Sequence, residues 1–329
     1  MFAGSLRAVS PEAALVLYLD APLPDTHQQI VERYAITSIE FTVELLEPAF
    51  LRKYHPSNYR WPLLYRYLKE HAGIYDKVVM ADVRDTMFQE NPFGTFDTGF
   101  YAFNGVESRT IGQCGWNGGW VRDCFGPEML NRISKKRIIC SGVSMGSSSA
   151  VLDYLRLMSE TMETPQFAKC ERNGVDQGVH NVLVHTGQIP GLRVLDQQSG
   201  WVANMQAGRA VISSSSVSNR KGQKVAVVHQ YDRYRDLQKS YFERFVFWSM
   251  PSEAEKCSAF RVVENKDLFK KTCDLRVTSG HSIGACCERC LATKGCKAWS
   301  AAGSQCFLKN CNEPKSNVNM RGVASGYLK

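Results

Sequence analysis

No stretch of this 329-residue chain approaches the roughly 20 consecutive apolar residues that cross a bilayer. The best run, AALVLYL from Ala13 to Leu19, has the length of a strand. The opening MFAGSLRAVS lacks the basic n-region and long apolar core of a signal peptide. If the chain works in a lumen or outside the cell, its targeting segment is expected to lie outside this sequence. Asn-x-Ser/Thr sequons are absent, which decides nothing about compartment. No basic stretch is interleaved with aromatics, which argues against a nucleic-acid partner. The glycines of SGVSMG (Ser141–Gly146) have no lysine partner, which excludes a Walker-type phosphate loop. There is no internal repeat. Cysteine is scarce before residue 257, where only Cys114, Cys124, Cys140 and Cys170 occur.

What the chain has is an ordinary globular composition, 44% hydrophobic and 22% charged. Its length suits one large domain and one small one. The formal charge of +8 is concentrated at the end. Residues 257–329 hold 12 Lys and Arg against 5 Asp and Glu, a net +7, which leaves +1 for the rest. A basic patch of this kind attracts acidic glycans, acidic proteins or a membrane surface. The same 73 residues hold eight of the 12 cysteines, the density of a small disulfide scaffold. Zinc is the rival reading, because Cys287-x2-Cys290 and Cys306-x4-Cys311 have ligand-like spacings. Disulfides are favoured: the count is even and the spacings form no tidy four-ligand set. The compartment is then oxidising.

Along the chain, strands are expected at Leu15–Leu19, Ala35–Phe41, Tyr75–Val83, Phe100–Phe103, Ile138–Val143 and Val225–Val228. Helices are expected at Thr26–Tyr34 and Arg60–His71, after Ser147–Ser149, and from an N-cap at Asp176. Ile111–Gly126, rich in Gly, Trp and Asn, reads as an ordered loop. Alternating strands and helices predict an α/β, doubly wound, mainly parallel sheet. Ligands of such sheets bind beyond the carboxyl ends of the strands. Asp20, Asp82, Asp85, Ser141 and His229 fall at such ends. The domain boundary is expected in PSEAEK (Pro251–Lys256), giving domains 1–252 and 253–329.

Four constellations carry chemistry. Asp82-Val83-Arg84-Asp85 places two carboxylates at a strand end, suited to hold Mn²⁺ or Mg²⁺ against a diphosphate. The bland alternative is a turn in which Asp85 pairs with Arg84. His229, closing an apolar strand, is a candidate third ligand or a structural histidine. Asp176 and Gln177 are a helix start or a pair that hydrogen-bonds a polyhydroxy ligand. Ser141 and Gly142 let a ligand approach the backbone or form a tight turn.

These motifs occur in the order acidic pair, SGVSMGS, DQ-x3-N, VVHQYDR. That order resembles a GT-A glycosyltransferase, most like the family-8 nucleotide-diphospho-sugar transferases, over roughly residues 12–250. The resemblance implies a GT-A fold and transfer of a sugar from a nucleotide-diphosphate donor to a glycan or glycoprotein acceptor. It implies donor-binding roles for Asp82, Arg84, Asp85, Arg60, Ser141 and Gly142. It implies metal ligation by Asp82, Asp85 and His229, and a catalytic role for Asp176 and Gln177 near the anomeric carbon. Arg84 or Lys224 is expected to assist the leaving diphosphate, and the family leans toward retention. One departure stands out: the family's second Asp falls at Arg84, and Asp85 follows one residue late.

CCERCLATKGCKAWSAAGSQCFLK (Cys286–Lys309) resembles a PAN/apple module, a small disulfide-rich α+β domain that binds carbohydrate or protein. The resemblance implies pairs Cys290–Cys296 and Cys287–Cys306. Candidates in the large domain are Cys114–Cys124 and Cys140–Cys170. Trp299 is expected in the core. The expected localisation is the secretory lumen, Golgi-like, or the cell exterior. Two alternatives remain: a catalytically inactive scaffold whose basic module binds acidic glycans or a protein partner, and a nucleotidyltransferase.

Overall fold

The computed structural model describes residues 1–23, 25–94, 96–106, 108–207, 210–213, 216–247, 257–268, 273–279, 283–303, 305–312 and 318–329. The expected boundary segment Pro251–Lys256 lies outside these residues. The chain forms two compact units, Met1–Phe245 and Val246–Lys329.

The first unit opens with α1 (Phe2–Val9), β1 (Leu15–Leu19), α2 (Asp25–Arg33) and β2 (Ile36–Glu40). α3 (Pro56–Glu70) leads to β3 (Lys77–Ala81), β4 (Thr86–Phe88) and β5 (Phe100–Asn104). Next come α4 (Gly115–Ile133), β6 (Ile139–Ser147), α5 (Ser148–Met162), α6 (Pro165–Cys170) and α7 (Val175–His185). The unit ends with β7 (Leu192–Leu195), β8 (Val202–Asn204), β9 (Val211–Ser213), β10 (Ser216–Ser218), β11 (Val227–His229) and α8 (Arg235–Phe242).

The central sheet has the order β3-β6-β5-β7. Its strands alternate faces with period two, as pleating requires. Phe100 and Ala102 of β5 face a core built with Trp61, Tyr154, Leu155 and Val179 from α3, α5 and α7. Tyr101 and Phe103 face the opposite core, with Leu6, Val143, Met145 and Val227. Helices thus cover the sheet as α/β packing demands.

The sheet is mixed rather than mainly parallel. β6 runs antiparallel to both β3 and β5, while β5 is parallel to β7. β1 and β2 form a separate parallel pair. β11 is antiparallel to β4 and parallel to β8. The parallel expectation assumed a single crossover helix between successive strands. Between β3 and β6, however, β4, β5 and α4 intervene, so β6 enters the sheet reversed.

Two local expectations are also corrected. Ile111–Gly126 is mostly helix, because α4 starts at Gly115 and runs through a kink at Gly126, where φ is 83°. Packing overrides the weak helix propensity of glycine here. A Cβ on Gly178 of α7 would lie 2.7 Å from the Trp120 Cβ, so α4 and α7 approach as only glycine permits. The N-cap of α7 is Gly174, in the left-handed region at φ 80°, not Asp176. Asp176 sits in the first turn, where the helix dipole favours an acid.

Cys124 pairs with Cys170, joining α4 to α6, and Cys114 and Cys140 are free thiols. The expected pairs Cys114–Cys124 and Cys140–Cys170 are therefore wrong. Cys140 lies on β6, its sulfur 3.7 Å from His229 Nδ1, and Cys114 is the N-cap of α4.

The second unit has an antiparallel sheet of β12 (Phe260–Asp267), β13 (Asp274–Ser279), β14 (Ala298–Ala302), β15 (Gln305–Lys309) and β16 (Val318–Leu328). Its order is β12-β16-β14-β15-β13, and α9 (Ile283–Leu291) packs on it. Four disulfides staple it: Cys257–Cys287, Cys273–Cys311, Cys286–Cys306 and Cys290–Cys296. Cys290–Cys296 is as expected. Cys306 takes Cys286 rather than Cys287, since adjacent residues on α9 point about 100° apart and only one faces β15. The cysteines are therefore disulfides, not zinc ligands. Trp299 is fully buried, and Gly326 leaves the space its indole fills. No described helix is long and apolar enough to cross a membrane. Five disulfides are the pattern of chains that fold in oxidising surroundings.

Candidate active site

The segment Asp82–Asp85 is the reversal between β3 and β4. The Asp82 N–H donates to the Gly142 carbonyl at 2.8 Å, which ends β3 against β6. β4 then pairs with β11, opposing Thr86 to His229. The Gln230 N–H donates to the Asp85 carbonyl at 2.7 Å, fixing the far end of the reversal. The two carboxylates thus flank one tight connection and face one imidazole.

His229 Nε2 lies 3.6 Å from Asp82 Oδ2 and 3.6 Å from Asp85 Oδ1. The candidate ligand atoms of Asp82, Asp85 and His229 all lie within 4.8 Å of one another. His229 and Asp85 are buried, whereas Asp82 is partly open. Buried Nε2 has no hydrogen-bond partner among the described residues. Gly142 borders the same space: a Cβ there would lie 2.6 Å from His229 Nε2 and 2.8 Å from Asp82 Oδ2. Two carboxylates and an imidazole nitrogen around a gap kept by glycine fit a Mn²⁺- or Mg²⁺-sized ion.

The one-residue shift in the acidic motif has a structural reason. Arg84 occupies the middle of the reversal with its side chain 82% exposed, and its guanidinium lies 3.6 Å from Asp232. Asp85, one residue on, is the side chain turned inward beside His229. Both Asp82 and Asp85 therefore reach the candidate metal position, and Arg84 does not.

Ser141 and Gly142 lie in the first half of β6, not at its end. They still reach the site, because β6 is antiparallel and its start runs beside the end of β3. The tight-turn alternative is not what forms: Gly142 and Gly146 are body residues of β6. Gly142 makes room for His229, and Gly146 for the Gly99 carbonyl.

Arg60 links two carboxylates. One guanidinium nitrogen pairs with Asp82 Oδ1 and the other reaches Asp176 Oδ2 at 3.0 Å. Asp176 is 3% exposed. Its carboxylate also accepts from Ser141 Oγ at 3.5 Å, and its N–H donates to Asn58 Oδ1 at 3.2 Å. Gln177 Nε2 donates to Asn117 Oδ1 at 3.0 Å. Asn181 clamps α7 to β6 through both the N–H and the carbonyl of Ile139.

A cavity of about 790 Å³ opens beside the Asp82–Asp85 segment, in the range of small-molecule sites. Arg60, Asp82, Arg84, Asp85, Ser141 and Gly142 line it, with Asp20, Tyr18, Phe41 and Tyr59 at the β1 side. Lys224 is placed elsewhere, bridged to Ser218 beyond β10.

The charges are strongly coupled. Burial opposes ionisation of Asp82, but Arg60 and His229 together hold it well below the usual carboxylate range. Burial pushes Asp85 up, with Asp82 and Asp232 adding to the shift against His229. Burial also pushes Asp176 up, against the attraction of Arg60. For His229 burial acts downward, yet the Cys140 sulfur and the Asp82 carboxylate raise it to about 10.

Sequence reasoning missed Asn58, Asn117, Asn204, Cys140 and Asp232. The role of each depends on a neighbour distant in the chain; Asp232 lies inside VVHQYDR, but nothing in that motif signals its approach to Arg84.

No protein-family model matches the chain, and no curated protein does. Among solved structures, an active-site mutant of LgtC aligns with a TM-score of 0.47 at 16% identity. The galactosyltransferase LgtC in complex with donor and acceptor sugar analogues aligns with a TM-score of 0.43 at 17% identity. Both alignments cover 77% of this chain and 92% of the other.

Proposed function

We propose that residues 1–252 form a GT-A-type glycosyltransferase domain that takes a nucleotide-diphosphate sugar and a divalent cation. The observation that carries this reading is the Asp82–Asp85–His229 triad around the space kept by Gly142, with Asp82, Asp85 and Gly142 lining a cavity of about 790 Å³. The ordered motifs of the sequence support it. The acceptor is a glycan or glycoprotein.

When bound, Mn²⁺ or Mg²⁺ offsets negative charge growing on a leaving diphosphate. Asp82, Asp85 and His229 hold it. Arg60 balances Asp82 and Asp176 and fixes their orientation. Arg84, exposed on the cavity wall, offers a second positive group to the diphosphate. Asp176 is enclosed by Arg60 and Ser141, so its contribution passes through Arg60. Gln177, held by Asn117, is the member of the pair to which the sequence resemblance gives the contact with the sugar. Transfer with retention agrees with the sequence resemblance.

Residues 253–329 form the PAN/apple-like unit, whose net charge of +6 suits an acidic carbohydrate or protein. The compartment is the secretory lumen or the cell exterior. The second reading, an inactive scaffold bearing a glycan-binding module, is favoured by that charge and by Arg84 standing where the family has Asp.

Thermal melts with UDP or GDP in the presence of Mn²⁺ separate the two, since a ligand of the native state raises the melting temperature. A rise followed by release of nucleoside diphosphate from a nucleotide-sugar panel is the expected result. Release of pyrophosphate would indicate a nucleotidyltransferase. No shift with either nucleotide, together with retention on an acidic-glycan column, would leave the scaffold reading.

A further inference from the structure

His229 can present Nε2 to a cation only if its ring is held by the other nitrogen, and the side chain that does so is Asn204. His229 closes β11 and Asn204 closes β8, and the two stand directly opposite in the parallel ladder. His229 Nδ1 lies 2.7 Å from Asn204 Oδ1. The partners of Asn204 settle which way this bond runs. Asn204 Nδ2 donates to the Asn104 carbonyl at 2.7 Å. A carbonyl can only accept, so the amide nitrogen must face Asn104 and the amide oxygen must face the imidazole. That oxygen also only accepts, so Nδ1 must carry the proton. In the neutral ring Nε2 then holds the lone pair, and Nε2 is the atom that faces Asp82 and Asp85 and has no hydrogen-bond partner among the described residues.

Asn204 is itself anchored. Gln197 Nε2 donates to its carbonyl at 2.7 Å, and the side chain is fully buried. The chain Gln197, Asn204, Asn104 and His229 therefore fixes one tautomer and one ring orientation without motion of the backbone. Outer partners of this kind order a metal-binding histidine and raise its basicity.

We propose that Asn204 is a positioning residue that sets the His229 tautomer, so that Nε2 faces the cation position between Asp82 and Asp85. This rests on the cation reading above. The rival role is only to satisfy buried polar groups at the ends of β5 and β8.

The test uses the full chain, Mn²⁺ as probe, and free Mn²⁺ measured by electron paramagnetic resonance. Asn204→Leu removes both the acceptor and the donor. Asn204→Asp keeps an acceptor toward Nδ1 while losing the bond to Asn104. Both variants lose melting temperature. Only Asn204→Leu is expected to lose Mn²⁺ affinity, by about 10- to 100-fold, with Asn204→Asp staying close to the wild type. Equal Mn²⁺ affinity in Asn204→Leu, or equal loss in the two variants, overturns the positioning role. A wild type that takes up no Mn²⁺ removes the cation reading and this inference together. A measurement free of variants stands behind these. In ¹⁵N-histidine-labelled wild type loaded with Mg²⁺, the long-range proton–nitrogen spectrum should show Nδ1 protonated and Nε2 not. The reverse assignment overturns the proposal even if neither variant folds.

Discussion

Gly142 stands where any side chain would collide with His229: a Cβ at this position would lie 2.6 Å from Nε2. The ring cannot retreat, because Asn204 and Cys140 lie against its other nitrogen. Gly142→Ala should therefore fill the cation position while leaving β6 paired. The expected outcome is loss of the Mn²⁺-dependent rise in melting temperature. A ligand at 100 times its Kd adds about 2.7 kcal/mol in the wild type. A Gly142→Ala protein that still shows the full rise would mean the ion, if any, binds elsewhere.

The two aspartates should respond with opposite signs when neutralised. Asp82 is held below its ordinary range by Arg60 and His229, so its ionised form favours the fold. That contribution is present above the unfolded value, near 3.9, and is lost as pH falls through the lower folded value. Asp85 is raised by burial and by its acidic neighbours, so its ionised form at neutral pH opposes the fold. Without cation at pH 7, Asp82→Asn should lower the melting temperature and Asp85→Asn should raise it. Both should abolish the Mn²⁺ effect and most transfer activity. Normal turnover in Asp85→Asn would exclude that carboxylate as a ligand.

Cation uptake should depend on pH through His229. Its folded value, about 10, lies above the ordinary one near 6.5. The charged ring therefore stabilises the metal-free fold below about 6.5, and this contribution is lost as pH rises through about 10. A cation needs the neutral ring, so loading expels a proton. Affinity for Mn²⁺ should rise from pH 6.5 to 8.5 by up to about tenfold per unit. Calorimetry in buffers of different ionisation enthalpy would count the released proton. A flat profile would show that His229 does not ligate.

Much of this was legible in the sequence where short-range chemistry decides it. The acidic reversal, His229 at a strand end, the helix of Asp176 and the cysteine-rich unit all follow from local pattern. Long-range pairing was not legible. Strand direction depends on which strands meet, so β6 was expected parallel, and the role of Ser141 and Gly142 was placed at a strand end instead of alongside one. The helix α4 was hidden by glycines that exist for its contact with α7. Asn204 was invisible because its meaning lies in β11, 25 residues away. Cys286 and Cys287 differ only by rotation about a helix, which spacing does not report.

Arg60 supplies the remaining prediction, because it separates structure from chemistry at Asp176. Arg60→Met leaves Asp176, 3% exposed, without its cation. Breaking a buried pair from one side costs about 3 kcal/mol or more. Adding Asp176→Asn removes the stranded charge, so the double variant should regain much of the stability in chemical denaturation. Activity should not return with it, since Asp82 has also lost its partner and the cavity its inner positive group. The single variant Asp176→Asn then becomes informative. If Asp176 acts through Arg60, that variant loosens Arg60 and raises KM for the donor more than it lowers kcat. If Asp176 meets the sugar itself, kcat falls and KM stays. The enclosure of its carboxylate by Arg60 and Ser141 predicts the first result.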